Sequence, residues 1–205
     1  MVFIGICGAS GSGKTTLANA LCSAIGASSA LINQDAYYLD HPNLTYEERT
    51  HLNYDEPYIF DHDLLYNDIR LLMAGQEIPR KAYDFSLHRR AESTEIVRPA
   101  DVLVLEGIHA FFDERLTDLM FLKLYINVEP DICLLRRINR DILERGRQIE
   151  NITDQYLTTV KPMYEKYIRN YVNDADVIVT RGGHNARIVD ILAGYLRDEL
   201  NKAQH

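Results

Sequence analysis

The chain has no tryptophan and only three cysteines in 205 residues. Cys7, Cys22 and Cys133 are odd in number, widely spaced and never arranged as C-x-x-C. That argues against a disulfide framework or a thiolate metal site and implies reduced, partly buried thiols. The seven histidines show no metal-ligand spacing. No apolar run approaches bilayer-spanning length, and the first one lacks the basic lead-in of a secretory signal, so a soluble, cytoplasmic protein is expected. Basic charge is also scarce. A net charge of −8 argues against a general nucleic-acid or membrane-surface binder, so any phosphate site must be a local basic cluster in an acidic protein. Repeats and low-complexity tracts are missing too.

What is present is ordinary globular composition, 46 % hydrophobic and 25 % charged, with an unusual thirteen tyrosines. The length suits one α/β domain, or one domain with an inserted lid. Strand and helix patterns alternate throughout, which predicts a parallel sheet with helices on both faces. Predicted strands include 2–7, 30–33, 101–106, 122–128 and 176–180. Helices are expected over 15–25, 61–74 (Asp61 as N-cap, with Leu64, Leu65, Ile69 and Leu72 on the apolar face), 131–144, 156–171 and 185–200. Two short strands, 83–85 and 94–97, would flank a loop. Residues 36 to 60 read as a long polar loop with one helical turn near 46–50, and loops of that length are usually functional.

Behind the first strand stands "GASGSGKTT", which satisfies G-x-x-x-x-G-K-[ST]. Gly8, Ala9, Ser10, Gly11, Ser12 and Gly13 would turn main-chain N–H groups around phosphate oxygens at a helix N-terminus, leading into Lys14, Thr15 and Thr16. Lys14 would reach the β- and γ-phosphates, and the Thr15 hydroxyl would hold Mg²⁺. Ligands in open parallel sheets bind beyond the carboxyl ends of the strands, where Asp35 and Glu106 also fall. Glu106, ending "DVLVLE", suits the Mg²⁺ shell, directly or through water, unless it is simply an exposed strand-end acid. Asp35 could be a general base or only a turn or N-cap residue, and the sequence leaves both open. Arg136, Arg137, Arg140, Arg145 and Arg147 crowd one helix and its exit. A solvated charged face is one explanation. Arginine alone, without lysine, favours a lid that clamps phosphoryl oxygens. Tyr37, Tyr38, Tyr54, Asp55, Tyr83, Phe85 and His88 have the makings of a pocket for a flat, hydrogen-bonding ring.

Taken in order, "GASGSGKTT", "NQDAYY", "NYDEPYIFD", "YDFSLH", "VLVLEGI", "RRINRDILERGRQ" and "QYLTTVKPMYEKYI" resemble the uridine kinase (uridine–cytidine kinase) family. The resemblance runs from about Val2 to the final helix. It implies a single P-loop kinase domain over residues 1–205, with a nucleoside-binding insertion at about 76–100 and a lid at about 136–150. It also implies ATP-dependent phosphorylation of the 5′-hydroxyl of uridine, and of cytidine, in pyrimidine salvage, and a homotetramer. Asp35 then matches the base, with Tyr38 beside it. Asp55 and Arg137 match ribose contacts, and Tyr54, Tyr83, Phe85 and His88 base-pocket positions. Arg140 and Arg145 match lid phosphate contacts, Arg147 and Gln155 nucleoside-side contacts, and Thr15 and Glu106 the magnesium shell. Two segments depart from the family pattern: "EPYIFD" stands for H-P-D-A-F-D, and "RKAYD" for I-P-V-Y-D. The rivals are another small P-loop kinase such as a nicotinamide riboside kinase, a nucleotide switch, and a nucleic-acid binder. A switch should carry a guanine-reading N-K-x-D, which is missing, and the acidic charge weighs against nucleic acid.

Overall fold

Residues 1–202 are described by a computed structural model. The opening apolar run forms β1 (Val2–Gly8), buried along its whole length. α1 (Lys14–Ile25) follows the glycine-rich loop, and β2 (Ser29–Asn33) runs into a 3-10 turn at Gln34–Tyr37. The long polar segment holds α2 (Tyr46–Thr50), where Thr45 and Glu48 cap each other's main chain, and a 3-10 turn at Pro57–Ile59. α3 (His62–Met73) starts at Asp61, whose carboxylate accepts the Leu64 N–H at 3.0 Å. Next come the antiparallel pair β3 (Ile78–Asp84) and β4 (Arg89–Val97), then β5 (Val102–Gly107), α4 (Glu114–Thr117), β6 (Leu122–Asn127) and α5 (Pro130–Leu143). The chain continues through α6 (Ile149–Gln155), α7 (Lys161–Lys166), β7 (Val177–Thr180) and α8 (Ala186–Lys202).

Five strands form one parallel sheet in the order β2-β5-β1-β6-β7. Successive side chains point to opposite faces, so each strand feeds two cores. Ile4, Ile6, Val102, Val104 and Leu124 pack with Leu17 and Leu21 of α1 and Leu192 and Leu196 of α8. Phe3, Leu103, Leu105 and Tyr125 pack on the other side with Leu65, Ile69 and Leu72 of α3. Each fully buried aliphatic contributes about 1.5–3 kcal/mol. Register then decides what meets at the top of the sheet. Glu106 lies level with Ile6 and with Asn33, so the phosphate loop, Glu106 and the turn carrying Asp35 leave the sheet side by side. This is the switch point, where β1 hands on to neighbours on both sides.

Three local expectations change. Leu64 is exposed, not on the apolar face of α3, because the buried stripe follows Leu65, Asp68, Ile69 and Leu72. The two short strands are a longer hairpin, and Phe85 belongs to its turn. The Asp84 carboxylate builds that turn by accepting the Ser86 and Leu87 N–H groups at 2.8 and 3.2 Å. Arg80 anchors the hairpin to the sheet edge through the Leu31 carbonyl at 2.9 Å. Finally, the expected helix over 156–171 begins earlier and is broken. Residues Tyr156–Val160 widen into a π turn, with Lys161 N–H donating five residues back to the Tyr156 carbonyl, and Ile168–Asp174 is 3-10. Pro162 accounts for the widening: its ring crowds the carbonyl four residues back and offers no N–H.

Candidate active site

The phosphate loop is shaped by contacts that tolerate no side chain. Gly11 has φ +83°, and a Cβ there would meet the Cys133 carbonyl of α5. Gly13 has φ +97° and packs on the main chain of Gly183, in the turn between β7 and α8. Inside this frame Lys14 is buried, and its Nζ donates to the Ala9 carbonyl at 3.0 Å. The Thr15 hydroxyl donates to Glu106 Oε1 at 3.0 Å. Glu106 is therefore not the exposed strand-end acid the sequence allowed; only 3 % of it is accessible.

A cavity of about 690 Å³ opens beyond the sheet. Its wall brings together Ser10, Lys14, Thr15, Asp35, Tyr38, Tyr54, Asp55, Tyr83, Phe85, His88, Glu106, Arg137, Arg140, Arg145, Arg147 and Gln155. Gly8, Ala9, Gly11, Ser12, Gly13 and Thr16 are not on that wall; they lie behind it in the loop and the first turn of α1. Asn33, not Asp35, caps the 3-10 turn after β2, its Oδ1 accepting the Asp35 N–H at 2.8 Å. The Asp35 side chain faces the cavity and accepts no hydrogen bond among the described residues. Burial raises its pKa above the ordinary carboxyl value, opposed by Lys14, Arg145 and Arg140 and reinforced by Asp55. Glu106 is raised likewise, by burial first, with Lys14 opposing and Asp35 adding.

At the other end of the cavity Tyr54 and His88 lie with ring centroids 5.0 Å apart. Tyr38 supports them from behind, stacked on Phe60 at 4.4 Å and edge-on to Tyr54 at 5.3 Å. His88 is not a lone surface residue. It holds a left-handed φ of 49° at the hairpin turn, and its pKa is lowered by burial, then by Arg147, Arg49 and Arg145. Arg49 of α2 fastens the polar segment to this turn through the Leu87 carbonyl at 3.4 Å.

The arginines are organised by a residue whose importance spacing alone did not give. Asp141 is fully buried and meets Arg140 at 2.8 Å, Arg147 at 3.2 Å, Arg145 at 3.3 Å and Arg137 at 3.8 Å. Burial would raise its carboxyl, but Arg140, Arg137 and Arg145 outweigh that and hold it below the usual range. Arg137 also donates to Ser10 Oγ at 2.9 Å and Gln155 Oε1 at 3.0 Å, and stands 3.8 Å from Asp55. The Arg145 guanidinium lies over the Phe85 ring at 3.8 Å. Positive charge here exceeds negative, an imbalance that an incoming polyphosphate would relieve. Thr159, from the π turn, reaches Asp55 Oδ2 at 3.3 Å and is a second residue the sequence did not single out.

His109 is a third. It is buried, with Nε2 at 2.7 Å from the Asp55 carbonyl and Nδ1 at 2.9 Å from the Tyr171 hydroxyl. Burial, and secondarily His62 and Lys14, push its pKa from 6.5 down to about 4, against the Asp55 carbonyl. The unfolded chain therefore binds a proton near pH 6.5 that the folded chain refuses until about pH 4. The stabilisation is complete above the unfolded value and is lost as pH falls between the two, by roughly 3 kcal/mol. Urea midpoints taken from pH 7 to 4.5 should accordingly fall more steeply for the parent than for His109→Gln; parallel curves would mean that His109 is not buried in its neutral form.

A phosphate loop at the switch point of a parallel sheet, facing arginines across a carboxylate-lined cavity, defines a P-loop phosphotransferase. Residues 3–187 match the family model described as the phosphoribulokinase / uridine kinase family. The chain belongs to that family. It is 43 % identical over 205 residues to a uridine kinase of Limosilactobacillus reuteri, covering 100 % of this chain and 94 % of the relative. A uridine kinase of Staphylococcus epidermidis is 42 % identical over 200 residues, with 97 % of each chain covered. Among solved structures, phosphoribulokinase from Rhodobacter sphaeroides superposes with a TM-score of 0.65 at 14 % identity, over 87 % of this chain and 69 % of that one, a likeness of fold. No helix among the described residues is long and apolar enough to cross a membrane.

Proposed function

We propose that this chain transfers the γ-phosphoryl group of ATP to the 5′-hydroxyl of uridine, and of cytidine, forming the nucleoside monophosphate. The observation that carries this is one cavity with two chemically distinct ends. Lys14, Thr15 and Glu106 line one, Tyr54, Asp55, Tyr83 and His88 the other, and Asp35 feels the charge of both Lys14 and Asp55. In this reading Asp35 accepts the 5′-hydroxyl proton, and its raised pKa makes it a stronger base than an exposed carboxylate. Asp55 and Arg137 hold the ribose, with Tyr38 behind them, while Tyr54, Tyr83, Phe85 and His88 bound the base, and Arg147 and Gln155 close the nucleoside side. Lys14, Arg140 and Arg145 offset charge on the transferring group, and the segment 136–150 closes as a lid that excludes water. A divalent cation fits the paired Thr15 hydroxyl and Glu106 carboxylate, an oxygen-only donor set suited to Mg²⁺. When bound, Mg²⁺ would supply charge neutralisation for the triphosphate. The resemblance adds a homotetramer serving pyrimidine salvage, with the hairpin region 76–100 as the nucleoside-binding insertion of a single domain, and the scattered, unpaired cysteines suit the reducing cytoplasm.

Relatives named uridine kinase support the substrate class. So does the charge around the base end. Burial first, and then Arg147, Arg49 and Arg145 against Asp84, lower the His88 pKa, and those three arginines disfavour the cationic pyridinium of nicotinamide riboside at this end. A panel of nucleosides assayed with ATP·Mg²⁺ tests the reading. Uridine should exceed adenosine and guanosine in kcat/KM by about a hundredfold or more, because a purine must fit a space bounded by Tyr83, Phe85 and His88. Comparable values for purine nucleosides would remove the pyrimidine assignment.

A further inference from the structure

His109 takes no part in the chemistry just proposed, yet it is bonded three ways. Its main-chain N–H donates to Gln34 Oε1 at 2.9 Å. The Asp55 carbonyl can only accept, so ring Nε2 carries the proton and donates to it at 2.7 Å. Nδ1 of the neutral ring is then an acceptor, and the Tyr171 hydroxyl donates to it at 2.9 Å. Tyr171 thereby fixes the tautomer that serves Asp55.

The consequence falls on the geometry of Asp55. The peptide before it is held at both ends, with the Tyr38 hydroxyl donating to the Tyr54 carbonyl at 3.1 Å and the Asp55 N–H donating to Asn53 Oδ1 at 3.1 Å. His109 holds the peptide after it. With the peptide planes on both sides fixed, the Cα–Cβ bond of Asp55 has one direction, and it delivers the carboxylate to the Thr159 hydroxyl at 3.3 Å and to Arg137 at 3.8 Å. Gln34, the third partner, directly precedes Asp35, so His109 also ties the turn of Asp35 to the exit of β5.

We infer that His109 is a positioning residue for the acceptor: through its Nε2–H bond to the Asp55 carbonyl, with the tautomer set by Tyr171, it fixes where the nucleoside-binding carboxylate stands. This rests on the proposed role of Asp55 toward ribose. Three variants test it. His109→Leu removes the donor, His109→Gln keeps an N–H near the place of Nε2, and Tyr171→Phe keeps the aromatic packing but removes the hydroxyl. Steady-state kinetics should show the KM for uridine raised about tenfold in His109→Leu, with kcat and the KM for ATP within about twofold of the parent. His109→Gln should recover most of the loss, and Tyr171→Phe should fall between. Equal changes in the two KM values, or no recovery with glutamine, would reduce His109 to a packing residue and overturn the inference. If His109→Leu does not fold, Tyr171→Phe decides: a raised uridine KM at unchanged ATP KM supports the inference, and an unchanged uridine KM overturns it. A parent protein inert towards uridine would overturn the proposed function and the inference with it. An active parent whose variants behave as packing mutants would overturn the inference alone.

Discussion

Replacing Lys14 by alanine is expected to abolish phosphoryl transfer while leaving the fold in place. The side chain is buried but is not a member of either apolar core, and among the described residues its ammonium donates one hydrogen bond, to the Ala9 carbonyl at 3.0 Å. That carbonyl belongs to the phosphate loop itself, so the bond holds the ammonium beside the loop until a phosphate competes for it. Lys14 is also the leading positive influence on both Asp35 and Glu106, whose carboxyls burial already raises. Without it the site would face a triphosphate with two crowded acids and no ammonium. A loss of about three orders of magnitude or more in kcat follows from removing a charge that opposes the developing negative charge on the transferring group. A coupled ADP-release assay measures the loss, and circular dichroism with thermal melting checks that α1 still forms. Parent-like turnover by a natively folded variant would remove the phosphate-loop reading.

How far the sequence led depended on whether a feature was local. The phosphate loop was legible because its glycines and lysine have fixed offsets, and β1 and α1 flank it as an apolar run and a helix should. The helical turn expected near 46–50 is α2, and the structure shows it to be locally held, by the capping box that Thr45 and Glu48 form three residues apart. Asp141 was half legible. Its positions four residues after Arg137 and four before Arg145 put it within helical reach of both, but Arg147 reaches it from beyond Gly146, where the chain turns at φ +63°. Leu64 misled because one residue of phase along α3 moves a leucine from core to solvent. His109 was invisible. A single histidine in "GIHAFF" carries no spacing, and its partners Asp55 and Tyr171 lie 54 and 62 residues away. The candidate site is thus readable as a set of residues, while the bonds that orient them are a product of sheet register and long-range packing.

Asp35 offers the sharpest test, because its two sequence-level readings disagree about one number. As a turn or cap residue it should tolerate asparagine, which caps about as well as aspartate. In the structure the cap of that turn is Asn33, through a 2.8 Å bond to the Asp35 N–H, and that bond uses the main chain of residue 35 and survives the substitution. The Asp35 carboxylate instead faces the cavity with no protein donor among the described residues, and burial raises its pKa. A base needs that combination: a free lone pair directed at the acceptor and an affinity for protons above that of a solvated carboxylate. Asparagine keeps the size and much of the hydrogen bonding but cannot take the proton. It also removes a negative charge near Lys14, Arg140 and Arg145, so ATP binding should hold or tighten slightly. The expected result for Asp35→Asn is a kcat lower by about two or more orders of magnitude, with uridine affinity by calorimetry changed only modestly. The thermal midpoint should stay level or rise, since an acid that burial disfavours has been replaced by a neutral amide. Retention of more than about a third of the parental kcat would show that the 5′-hydroxyl proton leaves by another route and that Asp35 is not the base.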